Sequence, residues 1–352
     1  MTSGAVEEGT GPTWQPTPPP PPLTEAETKA ARTRLAIIWG VAFGFLLLAF
    51  AAIVITLNST VFSASGFVSA YLQSLSRHDI ASALAMPGVT TDADASDSLL
   101  RRDALGRLSR IELVDDEDRG GGEHHVTYSY LVDGTPGRTT FVVQHTGPRL
   151  GVFSGWAFVE SPLTTLEVVP RNTVEFEVNG VPVVAAAGAG QVSAFQVLVP
   201  GAYTFTHESL YLEAEATTLP VTSTSALEPF VLTASASRAF VDAVEVELAA
   251  YLDRCAEEQV LQPTGCPFGK QIANRIVGAP QWAISDYPRV EILPGEQIGT
   301  WVVPPAHGAA NLTVDVMSLF DGSVSSISED VPFTVSYIIT FTADGGITLT
   351  PR

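Results

Sequence analysis

Along the chain the spacing of apolar positions changes in blocks, and each block predicts a different element. Residues 35–57, LAIIWGVAFGFLLLAFAAIVITL, carry no charge. A run of 23 residues, about 34 Å at about 1.5 Å per residue, predicts a membrane-spanning helix. It exceeds the apolar core of a secretory leader, about 7–15 residues, so a retained anchor is expected. From Val61 the spacing turns helical: Phe67, Tyr71 and Leu75, then Ile80 and Leu84, closed by Met86-Pro87-Gly88. A second short helix is expected over 98–108. The period then falls to two in IELVDD, HHVTYSYLV, TTFVVQH and GVFSGWAFV, with turn signals at glycines 120–122 and at Asp133-Gly134.

Residues 165–235 show no helical spacing. VEFEVNGVPVV, FQVLVPGAYTFTHE and YLEAEATTLPV alternate, with turns at Asn179-Gly180 and Pro200-Gly201. From Ala236 the helical period returns, with Phe240, Val244, Leu248 and Leu252 on one face. Strands are expected over about 290–293, 299–303, 311–320, 333–342 and 347–350. The fold class is therefore α+β: a helix-then-sheet module at 58–160, a small all-β module at 161–235 and a second helix-plus-antiparallel-sheet module at 236–352. Phe67-Val68 with Ala70 is echoed by Phe240-Val241 with Ala243, which hints at a repeated module.

Residues 1–34 lack an apolar period. The proline run 18–22 favours an extended rod, and the Gly/Thr/Glu-rich flanks predict a disordered tail. Trp14 and Thr17 are its candidate anchor and phosphosite. Lys29, Arg32 and Arg34 precede the span, and Arg77 is the first cation after it. The positive-inside rule puts the N-terminus in the cytoplasm and everything beyond the span outside the cell membrane. Gly40 and Gly44 form a GxxxG pair, a candidate homodimer contact through the span.

A net charge of −20 excludes nucleic acid as a partner, because a polyanion is repelled. It also disfavours anionic wall polymers, leaving envelope proteins or a neutral glycan or peptide. The alternation VEFEVNG…VLVPGAYTF resembles the small β-sandwich repeats of bacterial surface proteins, in which the tyrosine after the Pro-Gly turn packs inward; here that is Tyr203. The helix-then-curled-sheet order at 58–160 resembles the NTF2-like fold, and the last module resembles an NTF2- or cystatin-like one. The whole order, with the segment DRCAEEQVLQPTGCPFG, resembles actinobacterial-type single-span envelope proteins related to the teicoplanin-resistance-associated membrane protein. Members of that family carry a cytoplasmic zinc ribbon. This tail has no cysteine, so no ribbon and no function tied to it is expected.

Cys255 and Cys266 are the only cysteines. Outside the membrane an oxidising setting favours one bridge between them. A redox-active pair, a metal site or a nucleophile are the alternatives. Zinc takes about four ligands, and no histidine lies near either cysteine.

Candidate chemistry elsewhere is thin. TDADASDSLLRRD places Asp92, Asp94, Ser96 and Asp103 at calcium-loop positions. Asp97 stands where the turn needs glycine, however, and the twelfth residue is not glutamate. Asp115–Asp118 read as a solvated turn rather than as paired catalytic carboxylates. His124 and His125 are adjacent in a strand and face opposite ways, and His145 is placed to meet one of them. No nucleophile elbow, SxxK, HExxH or P-loop occurs. Trp156, Trp282 and Trp301 are the candidate ligand-contact aromatics, with core packing as their ordinary role. The expected function is a non-catalytic, single-pass envelope protein whose exterior modules bind or scaffold cell-wall components, with no catalytic residue, metal or cofactor. A transmembrane sensor acting through the tail and an envelope hydrolase with an unrecognised site are the alternatives.

Overall fold

The computed structural model describes residues 25–149, 151–342 and 345–352. Trp14, Thr17 and the proline run lie outside the described residues. The chain forms two compact units, Met1–Thr60 and Val61–Arg352. In the first, helix α1 (Glu25–Ser59) is uninterrupted. Its stretch Arg32–Ser59, 28 residues, is long and apolar enough to cross a membrane. Residues 25–34, expected to be disordered, are instead helical. Their Glu, Ala, Lys and Arg are good helix formers, and the apolar stretch has already met the cost of nucleation.

The second unit is β-rich and holds three hydrophobic cores. Ser63 caps helix α2 (Ala64–Ser76), its Oγ accepting from the Gly66 amide at 3.0 Å. Val68, Tyr71, Leu72 and Leu75 of α2 are buried against an antiparallel meander. The meander runs β1 (Leu108–Gly120), β2 (Glu123–Val132), β3 (Thr135–Arg149) and β4 (Phe153–Phe158). Helix α3 (Ile80–Leu84) stops before Met86-Pro87-Gly88, as its sequence predicts. The helix expected at 98–108 does not form. Only a 3-10 turn occurs there, Arg102–Ala104. The segment is held by tertiary contacts instead: Ser96 bridges Phe195, the Gln196 side chain donates to the carbonyls of Asp92 and Ala95, and Leu99 and Ala104 are buried in the second core.

After β4, two small sheets share the second core. β5 (Leu163–Arg171) and β8 (Ser193–Leu198) form one sheet with β11 (Phe230–Thr233). β6 (Glu175–Val178), β7 (Val181–Val184), β9 (Gly201–Glu208), β10 (Leu212–Val221) and β12 (Ser235–Ala236) form the other. Asn179 and Gly180 both have positive φ, the geometry of a tight two-residue hairpin. Tyr203 is fully buried, its hydroxyl accepting from the Leu198 amide and donating to the Leu198 carbonyl. The Tyr71 hydroxyl donates to the carbonyls of Val199 and Pro162, at 2.8 and 3.2 Å. Leu163, Leu198 and Ala202 in turn belong to the first core. The first two modules therefore interlock across the boundary at 160/161.

Burial raises the Tyr71 and Tyr203 phenols well above their ordinary value, and the Tyr203 phenol adds to the shift at Tyr71. In the unfolded chain both ionise near pH 10. Their contribution to stability is thus fully present below about pH 10 and is lost as pH rises toward their folded values. We expect their phenolate absorbance to appear only together with loss of far-UV circular dichroism. Ionisation of all eight tyrosines before any unfolding would contradict their burial.

The third core lies under helix α4 (Arg238–Ala256), capped by Ser237. Phe240, Val244, Leu248 and Leu252 are all buried, as their spacing predicts. The sheet beneath runs β13 (Arg275–Asp286), β15 (Thr300–Met317), β16 (Val324–Phe341) and β17 (Ile347–Pro351), with the short β14 (Leu293–Pro294) beside β15. Three strand expectations change. β13 was hidden because Gly278 and Pro280 break its alternation. The strand expected at 290–293 shrinks to the two residues of β14. The two strands expected at 299–303 and 311–320 are one, since Pro304 and Pro305 fall at a register shift between Val303 and Ala306, where missing amides cost nothing.

Candidate functional site

The helix-facing side of the first sheet is a filled core. Val126, Tyr128, Tyr130, Phe141, Val143 and Phe158 are buried against Tyr71 and its helix. The open space lies at one end of this core. A cavity of about 630 Å³ sits between the start of α2, the turn after α3 and the β3–β4 hairpin. Phe62, Phe67, Met86, Pro87, Pro148 and Trp156 give it an apolar lining. Its size and chemistry are those of a small-molecule or side-chain site.

Each wall has a local cause. Phe62 stacks on Phe153, ring centroids 4.4 Å apart, and its carbonyl accepts from Trp156 Nε1 at 2.8 Å. The indole N–H is therefore spent, and only the ring is presented to the cavity. Gly88 has φ +85°, and a Cβ there would lie 2.1 Å from the Phe158 carbonyl oxygen. Glycine thus lets the Phe158 amide reach the Pro87 carbonyl at 3.0 Å, which ties the Met86–Pro87 wall to β4.

Two histidines flank the same indole. His124 and His145 stand edge-on to Trp156, with centroids 5.0 and 5.4 Å away. His124 and His125 face opposite ways as expected: His124 Nδ1 is 2.7 Å from Asp116 Oδ1, and His125 Nε2 is 3.1 Å from Glu123 Oε1. His145 meets His124 only through the Trp156 ring. Asp115–Asp118 are not in a turn. They belong to β1, paired with β2, because the three glycines confine the reversal to the residues after them. Among the described residues no group of histidine, cysteine and carboxylate is arranged to hold a metal ion, the 92–103 segment included.

The other predicted positions are placed as follows. Trp282 and Trp301 are buried in the third core, 7% and 2% exposed, and present no face to a ligand. This corrects their candidacy: their apolar strand contexts put them on the helix-facing side of the sheet. Trp282 Nε1 instead donates to the Val260 carbonyl, holding the segment after α4. Cys255 and Cys266 stand at disulfide distance, with sulfurs 1.97 Å and Cα atoms 5.8 Å apart. At Gly40 and Gly44 a Cβ would meet nothing within 4 Å, so the notch they make on α1 is open.

A second cavity, about 500 Å³, opens between α4 and β17. Glu247, Tyr251 and Arg254 of α4 form one side, Ile347, Thr348, Leu349 and Pro351 the other, and Tyr337 lies at the base. Tyr251 Oη donates to the Gly265 carbonyl. Burial raises the Tyr337 phenol to about 12, with the neighbouring Tyr251 phenol adding to the shift. In both helix-and-meander modules the open space thus falls between the helix and the last strand of the sheet.

Sequence reading found Trp156 but missed Phe62, Phe67, Met86, Tyr251 and Tyr337 as cavity walls. The available signal was the surplus of large apolar residues at the rims of the two helical faces. The described fold defines a mixed, β-rich body joined in sequence to one apolar helix. No protein-family model matches this chain, and no curated protein or solved structure matches it significantly.

Proposed function

We propose that this is a non-catalytic, single-pass envelope protein of actinobacterial type, anchored by α1, with its N-terminus in the cytoplasm and Val61–Arg352 outside. The first module is read as NTF2-like, and its end cavity beside Trp156 as the site that takes an apolar group of an envelope protein or of a neutral glycan or peptide. The observation that carries this reading is the cavity itself. It is about 630 Å³, apolar and framed by residues locked through Trp156 and Gly88. A preformed apolar socket with few polar groups suits binding rather than acid–base or nucleophilic chemistry. The net charge of −20 favours neutral or protein ligands over anionic polymers.

The test is site-specific photo-crosslinking in intact cells. A photoreactive residue at Ala70, which lines the cavity, is expected to capture the same envelope component repeatedly. The same residue at exposed Val246, on α4, is expected not to. Trp156→Ala should reduce capture at Ala70 several-fold. Identical capture at both positions would refute the site. A tag at Arg352 shielded from protease added to intact, wall-stripped cells would refute the topology.

A further inference from the structure

The cleft between α4 and β17 carries features that the cavity beside Trp156 lacks. Tyr337 is 7% exposed, lines the cleft, and its hydroxyl has no hydrogen-bond partner among the described residues. The ring is buried but the oxygen is not enclosed, so the hydroxyl opens onto the cleft, where a ligand acceptor can take the place of solvent. Arg254 lines the same cleft, and no acid lies within ion-pair distance of it among the described residues. The other charged residue of the lining is Glu247, two helical turns away on the same face of α4.

The cleft is also polar along its length in a particular way. Among the described residues β17 pairs with β16 on one side only, at the edge of its sheet. An edge strand presents unpaired amides and carbonyls, the template to which an extended chain adds. β17 runs alongside α4. Its Ile347 pairs with Phe341, which touches Phe240 near the start of the helix, and its Pro351 pairs with Tyr337, near Tyr251 toward the end. A chain lying in the cleft would thus have a strand edge along one side, a helix face with Tyr251 along the other, and an apolar floor of Leu248, Ile347 and Leu349. The two unspent donors, Arg254 and the Tyr337 hydroxyl, fall toward one end.

We propose that this cleft binds a short extended peptide, which adds to the edge of β17 and delivers its terminal carboxylate to Arg254 and the Tyr337 hydroxyl. The carboxylate is the ligand group that matches an unpaired guanidinium and a phenol hydroxyl lining one cleft, and charge-assisted hydrogen bonds of this kind are the strong ones. The protein's overall negative charge is screened beyond about 10 Å at moderate salt, whereas Arg254 acts at contact. The site is separate from the cavity beside Trp156 and does not depend on it.

The test uses the full chain in detergent micelles. It is applied to a library of octapeptides immobilised through their N-termini, and to the same library with amidated C-termini. We expect saturable binding to a subset of the free-acid peptides, weakened about tenfold or more by amidation. Arg254→Gln should weaken it to a similar extent, and Tyr337→Phe about three- to tenfold. Neither substitution removes a buried apolar group, and circular dichroism of both variants should match the parent. Trp156→Ala should leave the array result unchanged, so failure here and failure of the crosslinking at Ala70 are separable. No saturable peptide binding would overturn the proposal, as would equal binding of acid and amide. Self-association that Arg254→Gln abolishes, without peptide binding, would assign the cleft to a second copy and overturn it too.

Discussion

Trp301→Ala is expected to lower the unfolding free energy by about 3–5 kcal/mol, the usual cost of truncating a large buried aromatic. Trp301 is 2% exposed and is among the largest fully buried side chains of the described residues. It lies opposite Ile339 of β16 and Pro294 of β14, and Phe240 of α4 packs edge-on against it with centroids 5.9 Å apart. Three elements therefore lose a common partner at once, and the cavity left between helix and sheet cannot collapse without moving one of them. Urea denaturation of the full chain in detergent, followed by far-UV circular dichroism, gives the measurement. The same change at Trp156, which is half-buried and borders open space, should cost markedly less. A loss at Trp301 below about 1 kcal/mol would be inconsistent with a core position.

Replacing Cys255 and Cys266 together by serine is expected to cost about 3 kcal/mol, the chain-entropy value for a loop of about a dozen residues. The loss should be local. Cys255 lies in the last turn of α4 and is 3% exposed, and Phe268 packs on Trp282 just beyond Cys266. Without the bridge, the segment between them keeps the Trp282-to-Val260 hydrogen bond and the Lys270 amide bond to the Leu261 carbonyl, but loses the constraint on its unfolded state. Hydrogen exchange should therefore speed up over 255–270, while the first two modules keep their protection. Unchanged exchange and unchanged stability in the double variant would mean that the bridge does not restrain this segment. The serine pair is preferable to a single substitution, which leaves a buried or exposed thiol free to react.

Much of the architecture follows from local spacing. The charge-free run 35–57 gives a helix long and apolar enough to cross a membrane. Phe240, Val244, Leu248 and Leu252 give α4 its buried face without further information, because a 3.6-residue period leaves one way to hide them. The hairpin at Asn179-Gly180 follows from two residues that tolerate positive φ. The Cys255–Cys266 pairing is similarly legible, there being no other cysteine to choose.

Long-range competition decided the rest. Whether 98–108 became a helix depended on Phe195 and Gln196, about a hundred residues downstream, which draw Ser96 into a bridge and Leu99 into the second core. β13 and the continuity of β15 rested on cross-strand pairing that absorbs Gly278, Pro280, Pro304 and Pro305, each a breaker by local rules. The three tryptophans look alike in sequence. Only the packing of helix on sheet buried Trp282 and Trp301 and left the ring of Trp156 against open space. The two cavities belong to the same category. A cavity is space that neighbouring elements fail to fill, and that failure is a property of their assembly, which no single stretch of chain encodes.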